Sequence, residues 1–199
     1  MWIYEKKLQC PVNIKKPDAK LAKMILAQIG GPDGELGASM RYLNQRFAAP
    51  YDKTKAILTD IGTEELAHME ILSAIIYQLT RDLTPEEIDK GGFAPYFLDH
   101  TTGIYPAGAS GEPFTCAYFQ STGDPVTDLH ENLAAEQKAR TTYDNILRFT
   151  YDSDVRDPIK FLRQREIVHF QRFGEALRIT TDNLNSKNYY AFNSAFDKK

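Results

Sequence analysis

Cysteine is scarce: Cys10 and Cys116 are the only two in 199 residues, and they stand far apart. A disulfide framework is not supported, and two free, inert thiols are expected. No apolar run approaches the length needed to cross a bilayer. The N-terminal stretch MWIYEKKLQCPVNIKKP has lysines but lacks the apolar segment of a secretory signal. Synthesis and retention on the cytosolic side, without a membrane span, are therefore expected. Positive charge is not in excess either, with 24 Lys and Arg against 27 Asp and Glu. That balance lacks the basic stripe a phosphate backbone requires, so nucleic acid is not an expected partner. What remains, 42% hydrophobic and 26% charged residues, is the make-up of a globular protein. Residues 1–199 read as a single domain of a size that one core can hold.

Four segments carry helical periodicity. The first begins after Pro17 with Asp18 near its cap and shows Leu21, Met24, Ile25 and Ile29 on one side. GGPDGE at 30–35 then predicts a kink or short interruption, with helix resuming through Glu35, Tyr42 and Leu43. The second places Leu58, Ile61, Glu65, His68, Leu72, Ile75 and Leu79 on one face. A third spans about 126–150, aligning Leu129, Leu133, Glu136, Tyr143 and Leu147. In the fourth, Asp157-Pro158 predicts an N-cap with proline at the first helical position. Its seam then runs Ile159, Leu162, Glu166, His169, Phe173, Leu177. Between the second and third lies a Gly-, Pro- and aromatic-rich stretch, about 83–125, and after the fourth a tail, about 180–199, containing NYYAFNSAF at 188–196. That aromatic run reads as packing on its own bundle or on a neighbouring subunit. A long connection at that place is what a ferritin-like four-helix bundle has, crossing over between its second and third helices, and this all-α fold is expected.

Charge interrupts two of these apolar seams in the same way. Glu65-x-x-His68 and Glu166-x-x-His169 each put a carboxylate and an imidazole about 60° apart around the helix, so both can reach one point. Alone, such a pair is weak, and any one glutamate reads first as a solvated helix face. The spacing strengthens the signal, because Glu35 precedes Glu65 by as many residues as Glu136 precedes Glu166. Each leading glutamate is followed a heptad later by a tyrosine, Tyr42 or Tyr143. Two helix hairpins facing each other would pool six metal-ligand side chains, the arrangement of bundle-core carboxylate sites. Tyr42 and Tyr143 would be core aromatics whose hydroxyls can meet a ligand carboxylate.

Four core carboxylates would be costly without countercharge, and the seams offer no matching lysines or arginines. Two divalent cations would balance them. Oxygen-rich ligation with two imidazoles and no thiolate suits manganese or iron. Glu64 and Glu70, off the seam, are expected to be solvated, and His100 and His130, without ligand spacing, to be ordinary surface or turn histidines.

The blocks GGPDGELGASMRYLNQ, DIGTEELAHMEIL and VRDPIKFLRQREIVHF resemble the principal motifs of the manganese catalases, with a likeness running from about residue 7 to residue 178. The short chain resembles the family's branch associated with bacterial spore coats. The resemblance implies two manganese ions per chain and the disproportionation of hydrogen peroxide to water and dioxygen. It implies that Glu65 bridges the metals, that Glu35 and His68 complete one and Glu136 and His169 the other, and that Glu166 exchanges protons with peroxide without ligating. Tyr42 would hydrogen-bond the ligand carboxylates. A homo-oligomer, a hexamer, is implied too, with spore-coat proteins as further partners. Some members carry an arginine just before the glutamate corresponding to Glu136, where this chain has Ala135; longer members continue past the fourth helix, and no calcium site is carried over. The alternatives are a di-iron oxidase or peroxidase of the ferritin-like class, and a structural coat protein whose metal mainly holds the bundle together.

Overall fold

The structure is a computed structural model that describes residue 5 and residues 7–184. The run NYYAFNSAF lies outside the described residues. Among those described there is no β-strand, only an isolated antiparallel bridge between Ala107 and Pro113. None of the described helices is long and apolar enough to cross a membrane.

The first bundle position is built in pieces, α1 (Ala19–Ile25), α2 (Ala27–Gly30) and α3 (Glu35–Gln45). Asp18 caps α1, its carboxylate accepting from the Leu21 amide at 2.9 Å, as the sequence predicts. The interruption falls in GGPDGE, where Gly31 and Gly34 are extended, and α3 starts at Glu35. Gly30 is required by close approach, because a Cβ there would lie 2.3 Å from the Ala107 amide nitrogen. The long connection passes directly over this break.

The second bundle helix, α4 (Asp52–Thr80), has 29 residues and is about 43 Å long. It packs closely on α3, with Ser39 Oγ donating to the Gly62 carbonyl at 2.7 Å. The third and fourth are α7 (Pro125–Ile146) and α8 (Ser153–Asn183), which pack chiefly on each other, while α4 against α8 joins the two hairpins. Because α8 reaches Asn183, the expected tail begins later than residue 180.

The start of α8 differs from the expected one. Asp152, not Asp157, is its N-cap, accepting from the Asp154 amide, and Pro158 lies inside the helix. Arg156 donates through Nη1 to the carbonyls of Leu147 and Thr150, which ties the α7–α8 turn to this extra helical turn. Proline in place forfeits one helical hydrogen bond, and packing compensates, for Pro158 is buried.

The connection from about 83 to 125 is more ordered than its composition predicts. It holds α5 (Pro85–Lys90), opened by a Thr84–Glu87 capping box, then α6 (Ala94–His100) and a 3-10 turn at Cys116–Phe119. His100 is a packing residue, its ring stacked on Tyr105 with centroids 4.4 Å apart. His130 Nδ1 meets the Val126 carbonyl at 2.8 Å.

Two apolar clusters fill the bundle. One gathers Ile25, Ile71, Leu72, Ile75, Ile146, Ile159 and Leu162, and the other Leu58, Ile61, Leu129, Phe173 and Ala176. Both α4 and α7 run from the second cluster to the first, whereas α8 runs back. Two parallel helices in succession require a connection as long as the bundle, which is why the crossover exists.

Replacing Gly30 by Ala should destabilise the protein by about 1–3 kcal/mol in denaturant unfolding, since the clash is with crossover backbone. Gly62→Ala should cost less, because its nearest obstacle is the Leu43 side chain.

Candidate metal centre

Each Glu-x-x-His pair sits in the seam of a long helix between the two apolar clusters. On α4 the order is Leu58, Ile61, then Glu65 and His68, then Leu72 and Ile75; on α8 it is Ile159, Leu162, then Glu166 and His169, then Phe173. Glu35 opens α3 and Glu136 lies midway along α7. The fold brings all six together, and none is more than 2% exposed.

Glu65 is at the centre. Its Oε2 lies 2.8 Å from His68 Nδ1 and its Oε1 3.0 Å from His169 Nδ1, so the carboxylate faces both imidazoles. The imidazoles are nearly parallel, with centroids 5.4 Å apart. Glu35 Oε2 stands 3.7 Å from His68 Nδ1, and Glu136 Oε2 stands 3.5 Å from His169 Nδ1. Glu166 Oε1 is 3.8 Å from His68 Nδ1, on the side of the first pair. One donor atom each from Glu65, His68, Glu166 and His169 lies within 4.8 Å of the others.

The tyrosines cross between hairpins. Tyr42, on α3 with Glu35, donates to Glu136 Oε1 at 2.5 Å, and Tyr143, on α7 with Glu136, donates to Glu35 Oε1. Each leading glutamate thus has one oxygen held by the opposite helix and the other turned toward a histidine. Both tyrosines are fully buried. Burial first, and then the facing carboxylate, push both phenols well above their ordinary range, so they stay donors.

Glu64, expected to be solvated, instead forms the outer face of the site. Its carboxylate is only 15% exposed and accepts from Arg165 at 2.8 and 3.0 Å, a bidentate pair. Glu64 Oε2 also lies 2.9 Å from His169 Nε2, while Oε1 is 3.8 Å from His68 Nε2. The imidazoles therefore have Glu65 on their inner edge and Glu64 on their outer edge. Opposite signs immediately before each motif glutamate, Glu64 before Glu65 and Arg165 before Glu166, were the available signal. Helical periodicity alone sends both positions to the surface. Glu70 is half-buried.

A second departure concerns cations. Arg41, on the α3 turn before Tyr42, is buried at 1% exposure, so the interior is not devoid of arginine. It lines a small opening shared by Asp33, Glu35, Glu136, Glu166, Tyr42 and Ala135.

The electrostatics are those of a crowded acid cluster. Burial, and then the Glu65 charge, push Glu35 up to about 8. Burial, followed by Glu35, Glu136 and Glu65, holds Glu166 well above the usual carboxylate range. Burial opposes charge on Glu65 as well, but the two imidazoles prevail and hold it low. For His68 and His169 burial favours the neutral ring, yet Glu65 and the surrounding carboxylates raise both. Even so, both Glu65 oxygens, Glu136 Oε2, Glu166 Oε1 and the Nδ1 atoms of both histidines make no hydrogen bond within the protein. Buried polar atoms are normally satisfied. Inward-facing oxygens and imidazole nitrogens without partners, with no thiolate among them, are a donor set that fits divalent metal.

The comparisons with known proteins agree with this chemistry. The family model described as manganese-containing catalase matches residues 1–199. The chain is 46% identical over 190 residues to Protein CotJC of Bacillus subtilis strain 168, covering 96% of this chain and all of that one. It is 36% identical over 192 residues to a probable manganese catalase of Clostridium acetobutylicum, covering 95% and 85%. The crystal structure of KatB, a manganese catalase from Anabaena PCC7120, superposes with a TM-score of 0.83 at 32% identity, covering 90% of this chain and 80% of that one. The helical, ferritin-like fold is therefore that of the manganese catalases, and this chain belongs to their family.

Proposed function

We propose that the chain is a dimanganese catalase that converts two molecules of hydrogen peroxide into two of water and one of dioxygen. The observation that carries this reading is the set of inward-facing oxygens and imidazole nitrogens left without hydrogen bonds in the bundle core. Glu65, between the two histidines, would be shared by both ions. Glu35 and His68 would complete one position, and Glu136 and His169 the other. The likeness to Protein CotJC supports placing this activity in the coat-associated branch that the short chain resembles.

When bound, a pair of one-electron metals supplies a centre that takes two electrons from one peroxide and returns two to the next. The chain's own residues do the rest. Tyr42 and Tyr143 each hold one oxygen of a ligand carboxylate, which fixes the direction of the other. Glu166 lines the opening and keeps Oε1 without a partner. Reduction of one peroxide consumes two protons and oxidation of the other releases two. Glu166 would accept and return them, since it lines the opening and keeps an oxygen without a hydrogen bond. The apolar clusters on either side exclude water from the ligand cage.

Elemental analysis of protein from manganese-replete cells should find about two manganese per chain, with oxygen release on adding peroxide. Two metals without oxygen would favour the structural coat reading, and iron in place of manganese the oxidase reading. Glu166→Gln should keep the metal and lower oxygen release by about 10²–10⁴-fold. Loss of metal as well would make Glu166 a ligand.

Loading must displace protons, because metal ligation requires neutral imidazoles and ionised carboxylates. With Glu35 near 8 and both histidines raised, manganese affinity should rise steeply with pH, and calorimetry in buffers of different ionisation enthalpy should detect proton release. The same shifts set the stability of the metal-free protein. Groups with raised pKa bind protons more tightly folded than unfolded, so stability should fall as pH climbs from about 5 to about 8. The metal-loaded protein should lack that decline in thermal melts.

Glu64→Gln should weaken manganese binding by about 10–100-fold in metal-competition titrations, because it removes the charge behind both imidazoles.

A further inference from the structure

Arg41 is the only lysine or arginine buried among the described residues. Its Nη2 donates to the Tyr118 carbonyl at 2.5 Å, but its Nε and Nη1 have no hydrogen-bond partner in the protein. A guanidinium does not shed its charge in a protein, so it cannot relieve this situation by deprotonating. An unpartnered buried cation is costly unless an anion meets it.

The position of Arg41 is informative. Arg41 lines the opening that also reaches Glu35, Glu136 and Glu166, with Ala135 on the facing helix. A methyl group at 135 leaves that side of the opening clear. The backbone of the crossover anchors the guanidinium from behind through Tyr118, so the rest of the group is held where it is.

On the reading proposed above, two divalent ions meet three ligating carboxylates and a Glu166 that is protonated in part of the cycle. Arg41 then adds a further positive charge at the entrance. With Asp33 in the lining paired to Lys138, the opening is then net positive, most so when Glu166 holds a proton, although the chain as a whole carries −3. Such a place favours small monoanions over neutral solvent.

We propose that Arg41 is an anion-binding residue of this opening, holding a small monoanion, the hydroperoxide anion or a competitor of similar size, next to Glu166. This inference deepens the catalase reading and rests on it for the substrate, but the anion site itself is testable without turnover.

The probe is sodium formate, a small carboxylate that a guanidinium binds well. It is titrated by calorimetry into the manganese-loaded full chain and its Arg41→Gln and Arg41→Lys variants, each with its metal content measured. The expected result is a formate site in the parent protein that Arg41→Gln weakens about tenfold or more, as loss of one charge-assisted hydrogen bond implies. Arg41→Lys keeps the charge and should weaken it less. With peroxide, KM should rise in Arg41→Gln by more than kcat falls. Formate affinity unchanged in a metal-replete Arg41→Gln, or no formate site in the parent, overturns the proposal. Should Arg41→Gln fail to fold, Arg41→Lys decides: weakened binding supports the site and unchanged binding removes it. A loaded protein that binds formate through Arg41 yet releases no oxygen would sink the catalase reading and leave the anion site standing.

Discussion

Four carboxylates packed into one dry core repel each other, and nearly everything else in the structure answers to that constraint. Without metal, protons must do the compensating: Glu35 is pushed up by burial and the Glu65 charge, and Glu166 by burial and the Glu35 charge, while the two imidazoles are raised by the carboxylates that surround them. That arrangement balances charge but leaves inward-facing atoms without hydrogen bonds, and a carboxylic acid with no partner is a poor occupant of a bundle core. Divalent cations answer both problems together, since they supply positive charge and coordinate the same atoms. A site with this character is tuned by pH before any reaction occurs on it.

The second consequence is that each half of the bundle depends on the other. Tyr42 and Tyr143 reach across to the opposite leading glutamate, so neither hairpin holds its own leading carboxylate in place. Glu65 on α4 serves His169 on α8 as closely as it serves its own His68. Outside the cage, Glu64 and Arg165 repeat the pattern as an ion pair between the same two helices. An interaction carried across helices can be made only after the hairpins dock, so cage formation and bundle assembly are one cooperative event.

The crossover has a part in this as well. It returns the chain from one end of the bundle to the other, and on the way it lays its backbone over Gly30 and gives the Tyr118 carbonyl to Arg41. Its composition reads as loop, yet short helices and an aromatic stack at Tyr96, His100 and Tyr105 order it. The connection thus fixes Arg41, which lines the opening to the buried acids.

The sequence by itself determined which residues enter the cage, because helical periodicity runs unbroken through Glu65, His68, Glu166 and His169 and can place them only on the buried face. It also determined the fold class, since two evenly spaced Glu and Glu-x-x-His units separated by a long connection fit a four-helix bundle. What periodicity could not decide was partnership. Tyr42 and Tyr143 were legible as core aromatics, but which glutamate each would meet depended on how the hairpins faced. Glu64 looked solvated because it lies off the seam; only the approach of α8, carrying Arg165 and His169, turned it inward. Arg41 likewise lies off its helix's apolar face and is buried by a crossover more than seventy residues later in the chain. The cap at Asp152 in place of Asp157 goes with Arg156 binding the preceding turn and with Pro158 buried inside the helix, neither of which local pattern shows. Local pattern fixes the face a side chain takes on its own helix, whereas its partners come from chain segments whose docking is settled by packing and charge across the whole bundle.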